Sequence, residues 1–522
     1  MATDAADHLL RHLRRHNPWW ESGRKAFALP PRRKSDFYHL ARPDDAGSQF
    51  EDQALLALVG RRGVGKTTLL QSFVHHRIDA GDSPERFCYL PFDADPRYQL
   101  RSDEQLRRAV QYYEGRILSR AGANGPHFLL LDDVNRITHA TKPDVEGWGT
   151  PVSALLEGRS DRHVVVTASA GVQIERELER VGFPGADYDV QPILPEKFRD
   201  HVFGRHPDLE ATERTRISPT SLWRGPASLP VALERATLEP FLAELVAKHA
   251  QVAHLDARIQ SLVVEYLAMG GILSFTTPDD VETVADLSAR QYARLREDVR
   301  QALYQEVPGF DTIETIDDLE RLCAIAARDA GREPMIFREL VDLFDVDRRT
   351  ITESYLPALG ELYLLTGITE YDNERPRAVR LYLRDPGLAI ALAHGNAETV
   401  LGDFEREADL ARLVAFDHTM RFAYNVNAAQ DRDVAPTVQY WRDGDREVDF
   451  VFEIDGTPVP VGLAYRPGDR ERTLAALEAF RETYDVPIAF RLVGDTDRGE
   501  EAVRELEDGI VQLPYWLYLL LC

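Results

Sequence analysis

Residues Leu56–Leu70, LALVGRRGVGKTTLL, pass from an apolar run through a glycine-rich loop and Gly-Lys-Thr-Thr into a second apolar run. The first run has the composition of a buried strand, and KTTLLQSFVHHRI after it repeats its apolar residues at helical spacing. Between the two, Gly60, Gly65, Lys66 and Thr67 fit the spacing G-x-x-x-x-G-K-[ST]. Such glycines let successive backbone N–H groups face inward at the positive end of a helix, which makes a nest for an anion. Lys66 is then expected to reach the β- and γ-phosphates of ATP, and the Thr67 hydroxyl to ligate Mg2+. The expected nucleotide contacts are Gly60, Gly63, Val64, Gly65, Lys66, Thr67 and Thr68.

Magnesium also needs a hard oxygen ligand from a carboxylate. HFLLLDDVNRI, His127–Ile137, is an apolar strand ending in two acids, and assigns Asp132 to the metal alongside Thr67. Asp133 falls where a water-activating Glu is usual; being one methylene shorter, it predicts slow hydrolysis. HVVVTASAGV, His163–Val172, is a further strand whose Thr167 and Ser169 are expected near the γ-phosphate, Ser169 as a polar sensor. Arg176 and Arg180 follow on a helical stretch; either can neutralise transition-state charge, and Arg180 joins Asp133 and Ser169 as the catalytic candidates. With RFCYLPFDAD, Arg86–Asp95, strands and helices alternate from Ala54 to Phe203, the pattern of a mostly parallel sheet covered on both faces.

The 522 residues exceed one core and predict several domains. No stretch approaches the ~18 uncharged apolar residues of a membrane span, and the first residues lack a secretory apolar core, so a cytoplasmic protein without membrane contact is expected. Cys88, Cys323 and Cys522 are scattered, which suits small core residues rather than a disulfide framework or zinc site. Net charge is −25, and only six of the 62 basic residues are lysines. An acidic chain almost without lysine is similar to the proteins of salt-loving archaea, whose carboxylates keep them hydrated.

FGRHPDLEATERTRISPTSLWRGPASLP, Phe203–Pro230, has no period and marks a boundary. Helical spacing returns over Leu238–Tyr304, stopped internally by Gly270 and Gly271, and suggests a helical lid over the nucleotide. Asp317–Tyr371 then gives a helix, a turn at Gly331, a short helix, a break at Asp345–Asp347, another helix cut short by Pro357, and a strand pair. That is the order of a winged helix, a module that binds DNA or packs on protein; Arg348 and Arg349 favour phosphate, Glu353 opposes it. TVQYWRDGDREVDFVFEIDGTPVPVGLAYR, Thr437–Arg466, alternates as a hairpin with RDGD as its turn, followed by a helix over 472–485 and a strand over 486–494. Asp449 stands on a strand as in a restriction-type nuclease, but the acid and lysine of the next strand are replaced by Gly462 and Ala464, which leaves too few ligands for metal chemistry.

GRRGVGKTT, FLLLDDV, VVVTASA, YDVQPILPEKFRDHVF, ITESYLPALGELYLLTGITEY, RLYLRDPGLAIAL and VQYWRDGDREVDFVF together resemble the archaeal and bacterial AAA-type P-loop ATPases that carry a winged helix and a C-terminal restriction-nuclease-like domain of uncharacterised role. The resemblance implies an α/β P-loop NTPase of the AAA/ASCE type, with ATP and Mg2+ at the first motif and a sensor at the third. It also implies an acid early in the C-terminal domain, which is lost near Arg412. The expected organisation is an N-terminal extension over 1–50, the ATPase core over 51–204, linker and helical lid over 205–305, winged helix over 306–402 and a degenerate nuclease-like domain over 403–522. HNPWWESGRK, in the extension, allows a docking arm over the adenine side instead. The expected function is a slow ATPase acting as a nucleotide switch for the regions after it, with another protein as partner. The alternatives are a DNA-binding module in which nucleotide is secondary, and a structural ATP binder that scarcely hydrolyses.

Overall fold

The apolar run before the glycine loop forms the strand β1 (Leu55–Val59), with all five residues buried, and the helix after the loop spans Lys66–Asp79. The computed structural model describes residues 11–27, 54–92, 103–122, 125–134, 148–157, 161–169, 171–183, 188–205, 217–272, 284–307, 313, 315–397, 403–430, 436–494, 502–507 and 509–522. The chain divides into two compact units, Met1–Leu194 with Glu361–Tyr363, and Pro195–Gly360 with Leu364–Cys522.

In the first unit, β2 (Phe87–Pro91), β3 (His127–Asp132), β4 (Arg162–Ala168) and β5 (Tyr188–Pro192) join β1 in the order β2-β3-β4-β1-β5. Every pairing is parallel. Alternate residues enter opposite cores: Leu56, Leu58, Leu130 and Val165 pack with Phe73 on one face, while Ala57, Val59, Leu129, Leu131 and Val166 pack on the other. Burial on both faces explains why these strands are unbroken apolar runs rather than alternating ones.

Part of the stretch expected to be an extension belongs to this unit. Trp19 lies in the core beside Leu56 and Leu58. The indole N–H groups of Trp19 and Trp20 both donate to the Phe87 carbonyl, at 3.1 and 2.9 Å. The Asn17 amide donates to the Tyr89 carbonyl at 2.9 Å and accepts from the Tyr89 N–H at 2.6 Å. Since β2 is an edge strand, its outward-facing backbone groups need partners, and this segment supplies them.

After the shorter helices Phe198–Arg205, Thr220–Trp223 and Leu229–Arg235, the second unit continues with the helices Glu239–Val252, Asp256–Met269 and Val284–Glu306. Helix Asp256–Met269 stops at Gly270, as expected. Gly271 follows because a Cβ there would lie 2.0 Å from the Glu196 carbonyl oxygen. Then come helix Ile316–Asp329, β6 (Met335–Ile336), helix Phe337–Phe344, a helix continuing to Glu361, β7 (Leu365–Ile368) and β8 (Ala378–Leu383), the strands forming an antiparallel sheet in the order β6-β8-β7. Pro357 does not cut its helix short. A wide π-type turn over Thr350–Tyr355 precedes it and absorbs the missing N–H, so the helix continues over Leu356–Glu361.

A long helix, Phe404–Ala428, leads into a six-stranded sheet of β9 (Val438–Asp443), β10 (Arg446–Ile454), β11 (Thr457–Ala464), β12 (Ala489–Val493), β13 (Arg504–Glu505) and β14 (Ile510–Pro514). Its order is β13-β14-β12-β11-β10-β9. The helix Arg470–Tyr484 connects the parallel pair β11 and β12. The expected turn RDGD narrows to Gly444–Asp445, and a second turn at Asp455–Gly456, both residues at positive φ, makes three strands where one hairpin was expected. All three cysteines are buried, and none forms a disulfide. Among the described residues no helix is long and apolar enough to cross a membrane.

His418, on the long helix, is fully buried; its Nε2 accepts from the Phe198 N–H at 3.1 Å and its Nδ1 faces the Val414 carbonyl at 2.9 Å. Burial lowers its pKa from 6.5 to about 3, so the ring stays neutral when folded but takes up a proton when unfolded. Stability from this group is therefore complete above pH 6.5 and is lost as pH falls toward 3, with a slope of about 1.4 kcal/mol per pH unit. Melting temperature should fall more steeply between pH 7 and pH 5 in the native protein than in His418→Gln, by differential scanning calorimetry.

Candidate nucleotide site

The sheet order inserts β4 between β1 and β3, so the loop after β1 and the acids after β3 flank the end of β4. Gly60 opens the loop because a Cβ there would lie 2.2 Å from the Ile193 carbonyl oxygen. Gly63 and Gly65 take φ values of 79° and 103°, which an L side chain rarely adopts, and Gly65 is the N-cap of the following helix. Val64 is buried at the loop's centre. Lys66 is 6 % exposed, and its ammonium donates to the carbonyls of Gly60 (2.6 Å) and Arg61 (3.1 Å), so its charge is held against the loop itself. Thr67 is exposed and Thr68 half-buried beside it.

Asp132, 3 % exposed, is the hub of the polar contacts. Its Oδ2 accepts from Thr67 Oγ1 at 2.6 Å and from the Tyr89 hydroxyl at 2.7 Å; its Oδ1 accepts from Thr167 Oγ1 at 2.5 Å. Burial raises the Asp132 pKa, the neighbouring charge of Asp133 raises it further, and the three hydroxyls pull it back. The Asp133 N–H donates to Thr167 Oγ1 at 2.8 Å, and its φ is 59°. Asp adopts that left-handed conformation at less cost than Glu, so the local backbone matches the shorter acid.

The structure thus joins Thr67 to Asp132 and brings the backbone of Asp133 next to them through Thr167. Of the two hydroxyl residues expected on this strand, Thr167 lies on β4 and bonds to Asp132; Ser169 is buried just past the end of the strand. Arg180, at the end of helix Gly171–Arg180, donates to both Glu177 carboxylate oxygens (3.1 and 2.6 Å) and to Thr150 Oγ1 (3.4 Å). The side chain of Arg176 lies outside the described ones. Tyr89 went unnoticed in the sequence, although Pro91, two residues on, pairs with Asp132, a register that brings β2 side chains to the acid.

Five parallel strands in this order, with a glycine loop after β1 and a buried acid after β3, define a P-loop NTPase domain. Residues 52–190 match the family described as AAA domain, so this part of the chain is an AAA-type P-loop ATPase domain. Residues 281–399 match a Domain of unknown function (DUF8612). No curated protein matches the chain. Among solved structures, the chain is similar to the Walker-type ATPase PABY2304 of Pyrococcus abyssi, at 10 % identity and TM-score 0.33, covering 67 % of this chain and 97 % of that one. It is similar to the ORC1 protein of Aeropyrum pernix in complex with DNA, at 14 % identity and TM-score 0.26, covering 72 % and 96 %. A mutant of RuvB from Thermotoga maritima matches at 14 % identity and TM-score 0.23, covering 66 % and 90 %.

The residues present fit a magnesium nucleotide. Thr67 and Asp132 offer hard oxygens, and Lys66 with the loop N–H groups offers positive charge. Metal binding needs the ionised carboxylate, and Asp132 holds its proton to a higher pH than an ordinary aspartate. Mg2+-dependent nucleotide affinity should accordingly weaken on acidification before that of a site with an unperturbed aspartate, with proton release measurable by titration calorimetry in buffers of different ionisation enthalpy. Lys66→Ala should lose roughly tenfold or more in ATP affinity, whereas Asp132→Asn should keep metal-free nucleotide binding and lose the increment that Mg2+ adds.

Proposed function

We propose that the protein is a slow, Mg2+-dependent ATPase whose nucleotide state acts as a switch for the second unit. The observation that carries the reading is the loop, the lysine and the Thr67–Asp132 contact within one AAA-type P-loop domain. In this reading the loop N–H groups from Gly60 to Thr68 and the Lys66 ammonium grip the phosphates. Thr67 and Asp132 hold Mg2+, which when bound neutralises phosphate charge. Asp133 orients the attacking water, and Ser169 and Arg180 respond to the γ-phosphate. The left-handed backbone of Asp133 supports slowness, because a shorter side chain on a backbone whose N–H is tied to Thr167 Oγ1 has less reach to follow a water. Any switch must come from a difference in nucleotide affinity between two states of the protein.

For the second unit we propose a winged helix over 306–402 and a nuclease-like domain without cleavage activity over 403–522. The order of elements from Ile316 to Leu383 supports the first. Asp449 supports the second: its Oδ1 accepts from Arg412 Nε at 3.0 Å and its Oδ2 from the Leu463 N–H at 2.7 Å, so both oxygens are engaged by protein. Nor can Gly462 be exchanged for an acid, since a Cβ there would lie 2.5 Å from Thr473 Cγ2. DNA binding by the winged helix is the second reading. Against it, Arg348 donates to the Pro376 carbonyl and stacks on Phe337; for it, Arg349 keeps an 85 % exposed side chain.

Phosphate release measured beside equilibrium ATP affinity tests the proposal. Slow release in the native protein, none in Lys66→Ala, and faster release in Asp133→Glu with affinity unchanged are the expected results. Tight ATP binding with no release in either the native protein or Asp133→Glu would leave a structural ATP binder.

A further inference from the structure

Asp132 can serve a metal only if its carboxylate stays ionised and keeps one orientation, and burial works against the first. Two of its three donors come from elements the sequence motifs already identify, the helix after the loop and β4. The third, Tyr89, comes from the edge strand β2 and donates at 2.7 Å to Oδ2, the oxygen that also accepts from Thr67. Tyr89 is 7 % exposed, so its hydroxyl is held away from competing water.

An edge strand has a neighbour on one side only, and β2 is paired by β3 alone within the sheet. On the open side, the Asn17 carboxamide bonds to both the N–H and the carbonyl of Tyr89, as a neighbouring strand would. Trp19 and Trp20 hold the Phe87 carbonyl two residues earlier, and Trp20 stacks on Tyr113 at 5.7 Å. Asn17 is itself fully buried and donates also to the Leu13 carbonyl at 2.8 Å.

We infer that Tyr89 is a positioning residue for the metal-side carboxylate Asp132, and that the segment Arg11–Phe27 sets Tyr89 in place through Asn17. This rests on the nucleotide reading of the loop. It assigns the N-terminal segment a part in metal binding exerted through one strand.

Tyr89→Phe removes only the hydroxyl and keeps the ring in the core. The affinity for ADP in EDTA should stay close to that of the native protein. The Mg2+ concentration giving half of the metal-dependent gain in affinity for a non-hydrolysable ATP analogue should rise roughly tenfold, the scale of one hydrogen bond to a charged group. Asn17→Ala should shift that midpoint in the same direction by less. An unchanged Mg2+ midpoint in Tyr89→Phe would overturn the role of Tyr89, and a shift there with none in Asn17→Ala would overturn the part given to the segment. Were the native protein to show no metal-dependent affinity at all, the nucleotide reading would fail and this inference with it; metal-dependent affinity equal in the native protein and Tyr89→Phe would sink the inference alone.

Discussion

A carboxylate removed from water remains an anion only where donors replace the water, and the Asp132 side chain meets that condition with three hydroxyls from three separate elements. Thr67 comes from the helix after the loop, Tyr89 from β2 and Thr167 from β4. All three can converge only if β2, β3 and β4 are neighbours in parallel register and the helix starts where the glycine loop releases it. The strand order of the first unit and the chemistry of its loop therefore depend on each other through one side chain. The same contacts divide the labour on β4: Thr167 both donates to Asp132 and accepts from the Asp133 N–H, so one hydroxyl fixes both acids.

Much of this was legible because it is local. A strand, a glycine loop and a helix in succession carry their own signature, and the acid pair after an apolar strand is equally plain. Tyr89 was not legible, because a tyrosine in an apolar strand looks the same whether its hydroxyl meets water, backbone or a buried acid. Asn17 was hidden for the same reason: its amide mimics a strand edge only once residues 72 positions apart have met. In the second unit Gly270 and Gly271 announced a helix stop, while the π-type turn ahead of Pro357 had no residue pattern to betray it. The two-residue strand β6 is too short for any periodicity.

The near absence of lysine has an internal counterpart. In the second unit Arg421 and Arg384 both pair with buried Asp417, at 2.6 and 2.8 Å, and Arg332 pairs with Asp409, which is wholly buried. Arg380 is itself wholly buried and pairs with Glu447, which Arg442 also holds at 2.6 Å. A planar guanidinium with five donors can satisfy a buried carboxylate and a backbone carbonyl together, as Arg421 does with Asp417 and the Pro195 carbonyl at 2.9 Å. Lysine, a compact and strongly hydrated charge, suits these places poorly. Arginine in this chain is thus more than a solvated surface choice.

The contact between Arg412 and Asp449 has a different implication. A dissolved ion occupies a carboxylate in proportion to its concentration and comes and goes, whereas a tethered cation arrives with the chain and cannot leave. By drawing its counter-charge from the long helix Phe404–Ala428, the six-stranded sheet holds a built-in cationic partner for Asp449 on β10.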